Sequence, residues 1–312
     1  MPKRNIISFA LTLGSIILAY SCATHRQMAD ECDPFKPTAT SLEHGRNLTY
    51  NVCGPCHYNE KTGKFSGNRF AELPSALGKV YTSNLTHAPK CGMLSEYTDA
   101  QLAYLVKTGI KNDGHFTPFM LRPTIADRDI ADIVLFLRSD DPALAADNTC
   151  NETHLTLLGK IGIHAIKPKP FITHIGTPAP TDSVGNGRYL VDILGCYHCH
   201  SGSLLSLNYM KPQRSKHYLK GGHKFKDPYG EKLYAANLTP DDETGTGFYT
   251  KETFRTALQT GVMPEGDTLS LPMPAYRHLT NTQADYIYAY LQSLRPKHTR
   301  DKDKEQLANT LR

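Results

Sequence analysis

Apolar positions recur at helical spacing in two widely separated segments of this chain. Ile130, Ile133, Val134 and Leu137 fall at i, i+3, i+4 and i+7, and Ala284, Ile287, Tyr290 and Leu291 follow the same kind of spacing. Each segment therefore predicts a helix with one face in a core. Asp127 and Asp129 sit in the first turn of the earlier helix, where carboxylates suit the dipole, and Arg138 ends it. Two further helices carry start and stop signals. Thr98 and Gln101 have capping-box spacing, Thr250 stands at the equivalent place later on, and Gly109 and Gly261 stop the helices that follow. No stretch alternates with period two for long enough to argue a sheet. The predicted class is all-α, a few helices joined by long loops.

These helices belong to a pattern that occurs twice. Gly45-Arg46-x-Leu48 precedes Cys53-Gly-Pro-Cys56-His57, and Gly187-Arg188-x-Leu190 precedes Cys196-Tyr-His-Cys199-His200. Tyr81-Thr-Ser-Asn84-Leu85-Thr86 is answered by Tyr234-Ala-Ala-Asn237-Leu238-Thr239. At 312 residues, the length suits two domains at ~150 residues each, and two small cores are expected. The boundaries read as 43–150 and 185–296, with a Pro-containing linker over 151–184 that lacks sustained helical periodicity and a polar, solvated tail over 297–312.

The first residues alter the picture of where the protein works. Lys3 and Arg4 open the chain, Ile6 to Tyr20 is mostly apolar, and Ala19-Tyr20-Ser21-Cys22 follows. That is secretory signal anatomy over 1–21, shorter than the ~20 apolar residues of a membrane-spanning helix. Ser21 before Cys22 resembles a bacterial lipobox, in which the cysteine is acylated and anchors the mature chain through a tether over 22–42. Ordinary cleavage at the same bond is the alternative. Export to the periplasm follows either way. The net charge is only +5 and charged residues are 21%, which excludes a nucleic-acid-binding surface of clustered Lys and Arg. Trp is absent and apolar residues are 39%, lean for two cores, so a large buried prosthetic group would supply missing apolar volume.

The two C-x-x-C-H pentads supply the chemistry. Cys53 and Cys56, like Cys196 and Cys199, lie one helical turn apart, so both thiols of a pair can add to the vinyl groups of one porphyrin. His57 and His200 then reach the iron from the proximal side. Zinc would need a second close ligand pair for each pentad, and none is repeated. A redox disulfide would explain neither histidine. Two covalently bound haem c groups are therefore expected.

The repeat also selects distal ligands. Met120 and Met273 each lie 36 residues after the shared Asn, follow a Pro-containing segment and precede the last helix. A thioether there stabilises ferrous iron, although most methionines simply fill core gaps. Met263 aligns with Lys111, and His115 and His278 read as loop or surface residues near the presumed ligands.

At these residues the chain resembles the cytochrome c family, and more narrowly the cytochrome subunits of bacterial membrane-bound alcohol, aldehyde and gluconate dehydrogenases. Its most specific marker is Tyr234-x-x-Asn237-Leu238-Thr239-Pro240-Asp241-x-x-Thr244-Gly245-x-Gly247. The first copy keeps Tyr81, Asn84, Leu85 and Thr86 but continues His87-Ala88-Pro89-Lys90-Cys91. The resemblance implies two tandem class I cytochrome c domains, each wrapped around one haem, with Gly45 crossing Phe136 and Gly187 crossing Tyr290. Subunits of this kind often hold three haems, and this chain has two pentads. The remaining cysteines are Cys22, Cys32, Cys91 and Cys150, and Cys91 to Cys150 is the expected disulfide. The implied function is electron transfer, without catalysis by the chain itself, between a dehydrogenase or quinol-oxidising donor and a downstream acceptor. A dihaem peroxidase is the alternative, and it would need one distal position free for peroxide.

Overall fold

The computed structural model describes residues 40–299 except 71–74, 165–167, 203–205, 227–231 and 271. The expected signal segment, Cys22, Cys32, the tether as far as residue 39 and the tail from residue 300 lie outside the described residues. Helix α1 (Leu42–Leu48) runs through a π-turn (Thr49–Cys53) into the short α2 (Gly54–His57). Helices α3 (Asp99–Thr108) and α4 (Asp127–Leu137) complete the first copy. After α5 (Leu157–His164), the second copy repeats the order with α6 (Ser183–Leu194), α7 (Cys196–His200), α8 (Lys251–Thr260) and α9 (Asn281–Gln292).

Local chemistry sets the helix ends. Ser41 Oγ accepts from the His44 amide to start α1. Reciprocal capping boxes start α3 (Thr98 with Gln101), α8 (Thr250 with Thr253) and α9 (Thr280 with Gln283). Gly109 at φ 76° and Gly261 at φ 81° end α3 and α8 in the left-handed conformation that glycine reaches without strain.

In each copy the first helix packs on the last, α1 on α4 and α6 on α9. The approach is so close that a Cβ on Gly45 would lie 1.9 Å from the Asp132 carbonyl oxygen, and one on Gly187 would lie 1.9 Å from that of Tyr286. Phe136 and Tyr290 flank these contacts, their Cβ atoms 3.2 Å and 2.6 Å from the added atoms. Helices this near can pack only where one carries no side chain.

Four features depart from the sequence reading. The segment over 151–184 is not a bare linker: it contains α5, where Gly159 donates to Thr156 Oγ1 and Thr156 Oγ1 donates to the Ala76 carbonyl. Gly159 also lies against the Leu77 carbonyl, where a Cβ would come within 2.0 Å. The contacts to Ala76 and Leu77 are long-range and invisible to local periodicity. Short antiparallel ladders also form, β1 (Gly78–Lys79) with β2 (His154–Leu155) and β3 (Lys224–Lys226) with β4 (Lys232–Tyr234). They are too short for a period-two pattern to stand out. Residues 297–299 are tied down rather than frayed, since Lys297 N donates to Thr239 Oγ1 and Thr299 N to Thr244 Oγ1. Finally, one main cluster of buried apolar residues runs through both copies, beside a small one at Tyr104 and Ile110, where two separate cores were expected.

Polar contacts join the copies as well. Tyr189 Oη donates to Asp129 Oδ2 at 2.5 Å, Gln283 donates to Asn47 at 2.8 Å, and Tyr50 stacks on His278 with ring centroids 4.0 Å apart. No helix among the described residues is long and apolar enough to cross a membrane. Placing a methyl group at the crossing, as Gly45→Ala or Gly187→Ala, is expected to destabilise the fold by about 2 kcal/mol or more. Urea unfolding of each variant against the parent checks this, and an unchanged midpoint for either would show that the crossing is not tightly packed.

Candidate functional site

Both C-x-x-C-H pentads follow the first helix of their copy: Cys53 closes the π-turn and Cys56 and His57 lie on α2, while the whole second pentad lies on α7 after Gly195. The crossing of first and last helices thereby fixes where the cysteines and histidine are presented. His57 and His200 are buried, 5% and 6% exposed. Burial lowers the pKa of each ring, which keeps the imidazole neutral near pH 7.

The orientation of the two rings is the same. His57 Nδ1 donates to the Ser83 carbonyl at 2.8 Å, and His200 Nδ1 donates to the Ala236 carbonyl at 2.8 Å. With Nδ1 protonated and engaged, Nε2 carries the free lone pair in both cases, the arrangement that orients a histidine ligand towards a metal. Ser83 and Ala236 are the residues immediately before the shared Asn84 and Asn237. Those asparagines fold the backbone locally. Asn84 Oδ1 accepts from Thr86 N and Oγ1, and Asn237 Oδ1 accepts from Thr239 N and Oγ1. Their amide groups reach the chain beyond the last helix, at Asp147 and Lys297. The Tyr-x-x-Asn-Leu-Thr motif is thus the piece that holds the carbonyl acceptor for each histidine.

That carbonyl carries no side-chain signal, so sequence reasoning did not find Ser83 or Ala236. It also missed Gly67 and Gly221. Both adopt positive φ (81° and 75°), and their amides donate to the His57 and His200 carbonyls at 2.9 and 2.8 Å. A Cβ there would lie 2.4 Å from the Thr82 oxygen or 2.5 Å from that of Ala236. They stand 10 and 21 residues after their histidines, and this unequal spacing hid the correspondence.

Met120 and Met273 occupy equivalent loops. Each amide donates three residues back, to Thr117 and Ser270. Each loop is bracketed by the same contacts to the middle helix: Thr117 N to Gly109 O and Arg122 N to Val106 O in one, Leu269 N to Gly261 O and Tyr276 N to Leu258 O in the other. Met120, Met273, Cys53 and Cys196 are all half-buried against the apolar cluster. Met263 instead opens a tight turn, its amide donating to Asp267 as that of Lys111 donates to His115. His115 is exposed and paired with Asp113. His278 is taken up by stacking on Tyr50.

The donor set fits a covalent haem in each copy. Burial pushes the Cys53 and Cys196 thiols up to about 12. A thiol that holds its proton opposes the reactive thiolate of a redox disulfide. The expected Cys91–Cys150 disulfide is present. It ties the departing loop of the first copy to the chain beyond α4. In the second copy Asp241 Oδ1, accepting from Thr244 N and Oγ1 at 2.8 Å, and Thr299 N donating to Thr244 Oγ1 make the corresponding tie.

No family model matches this chain. Among curated proteins, it is 31% identical over 143 residues to the fructose dehydrogenase cytochrome subunit of Gluconobacter japonicus, covering 45% of this chain and 26% of that protein. It is 32% identical over 109 residues to the gluconate 2-dehydrogenase cytochrome c subunit of Pantoea cypripedii (34% and 22%). Identity is 31% over 109 residues to the cytochrome c subunit of the quinone alcohol dehydrogenase of Gluconobacter oxydans strain 621H (34% and 20%). The chain spans about a quarter or less of the length of these relatives. It resembles cytochrome c subunits of dehydrogenases, as its motifs imply.

Asp192, one turn before Cys196, has its carboxyl raised to about 7 by burial, with Gln213 donating to it at 3.0 Å. Its folded pKa lies above the unfolded value near 3.8, so its stability contribution is complete below that value and is lost as pH rises towards 7. Asp192→Asn is expected to flatten the fall in stability between pH 4 and about 7, as followed by denaturant midpoints across that range. Parallel curves for parent and variant would contradict the assignment.

Proposed function

We propose that this protein is a periplasmic dihaem c-type cytochrome that takes electrons from a dehydrogenase or quinol-oxidising donor and passes them to a downstream acceptor. In this reading it has two tandem class I cytochrome c-like domains, over 43–150 and 185–296, and a lipid on Cys22 holds it at a membrane. Cys53, Cys56, Cys196 and Cys199 attach the haems, His57 and His200 are proximal ligands, and Met120 and Met273 are distal ligands. The observation that carries the reading is the duplicated histidine geometry, in which a pentad histidine is fixed through Nδ1 by a backbone carbonyl of the Tyr-x-x-Asn-Leu-Thr loop. Two unrelated zinc or thiol sites would have no reason to share it.

Bound haem supplies a one-electron couple, and the protein sets its potential through axial ligation, hydrogen bonding and burial. This chain's part is to orient the histidines, to keep them neutral by burial and to bring a thioether loop from equivalent positions in the two copies. Neither proton transfer nor a nucleophile is required of it. The similarity to cytochrome subunits of fructose, gluconate and alcohol dehydrogenases supports a redox enzyme as the donor.

Haem content, ligand spectra and peroxide turnover test the reading together. Full-length protein matured in the periplasm should yield two haems per chain by pyridine haemochrome, falling to one in Cys53→Ser/Cys56→Ser and to one in Cys196→Ser/Cys199→Ser. Met120→His and Met273→His should each remove about half of the ferric thioether-to-iron band near the red edge. A band unmoved by both would overturn the distal assignment. Rapid steady-state reoxidation by hydrogen peroxide would instead establish the peroxidase.

A further inference from the structure

Arg122 and Tyr276 are structural counterparts. Each follows its methionine by two or three residues, donates its amide to the middle helix and accepts from the residue three further on, Ile125 N and Leu279 N, at 3.1 Å. Neither the sequence repeat nor the motifs single them out, because one is a cation and the other a phenol. What they share is backbone position, and the Arg122 side chain reaches the junction of the copies.

The Arg122 guanidinium crosses to the second copy, where Nε donates to the Ile193 carbonyl at 2.6 Å, three residues before Cys196. Nη1 donates to the Leu121 carbonyl at 2.8 Å and to that of Phe119 at 3.4 Å. A Cβ built on Gly195 would meet both Arg122 Nη2 and His198 Nδ1 at 3.0 Å, which places the charge at the start of the second pentad helix. Carbonyl oxygens satisfy the group, and among the described residues no carboxylate lies within ion-pair distance of it. Among the described residues its partners are therefore neutral carbonyls alone.

That charge reaches both pentads, drawing down the Cys53 thiol in the first copy and the Cys196 thiol in the second against the upward push of burial. Tyr276 is buried, and that burial holds its phenol well above the ordinary value, with smaller contributions from Cys196, Cys199, Arg122 and Cys56.

We propose that Arg122, two residues after Met120 and bonded to the backbone just before Cys196, is a positioning charge between the two haem sites that sets the reduction potentials of both centres together. The inference rests on the dihaem reading above. A fixed cation in a poorly screened site disfavours the additional positive charge of ferric iron, so it raises the potential of any centre near it.

Spectroelectrochemical titration of full-length holoprotein tests this with Arg122→Gln, Arg122→Lys and Tyr276→Phe. Pyridine haemochrome comes first, because fewer than two haems in the parent would count against the dihaem reading itself. With two haems present, Arg122→Gln should lower the reduced-to-oxidised ratio of both centres at least threefold at the parental midpoints. Arg122→Lys and Tyr276→Phe should leave both ratios within a factor of two. A shift at one centre or none in Arg122→Gln, or an equal fall in Arg122→Lys, overturns the proposal. A threefold shift in Tyr276→Phe does so too, by assigning control to the phenol. If the Gln variant fails to retain haem, the Lys variant decides, and a fall at either centre is again the adverse result.

Discussion

Everything in this molecule depends on a helix crossing with no room for a side chain. Gly45 lies on the Asp132 carbonyl and Gly187 on that of Tyr286, so the first and last helices of each copy are held at the distance set by bare backbone. The pentads follow immediately from the first helix, and the crossing therefore decides where two thiols and an imidazole emerge. A looser crossing would displace all three groups.

A second constraint acts on the histidines. A buried imidazole requires a partner for each nitrogen that is not a ligand, and in both copies the partner is a carbonyl immediately before an asparagine. The asparagine side chain bends that backbone and fastens it to the chain beyond the last helix. The loop motif, the histidine and the end of the copy form one connected device. The first copy reinforces it with the Cys91–Cys150 disulfide, and the second with the Asp241, Thr244 and Thr299 hydrogen bonds. The divergent sequence after Thr86 is therefore a different way of making the same tie.

The two copies are also less independent than tandem units joined by a flexible connection. Tyr189 is bonded to Asp129, Arg122 to the Ile193 carbonyl and Gln283 to Asn47, and one main cluster of buried apolar residues runs through both copies. The connecting segment is docked as well, with Phe171 on Tyr104 and the Ile172 carbonyl accepting from buried Lys107. Such an arrangement holds two sites in a fixed relation, as transfer between them would require.

Sequence by itself determined the middle and closing helices of each copy, the duplication, the pentads and the equivalence of Met120 with Met273, because each is written in local periodicity, capping chemistry or matched spacing. It also carried the Gly45 and Gly187 crossings, through resemblance. Tertiary structure alone decided the rest. Ser83 and Ala236 act through backbone carbonyls, which any residue supplies, and Gly67 and Gly221 stand at unequal distances from their histidines. Helix α5 is secured by contacts with residues some 80 positions earlier. Arg122 and Tyr276 share a position without sharing chemistry, so no repeat could pair them. Local patterns record what a residue does to its neighbours in the chain; these residues act on groups that only folding brings near.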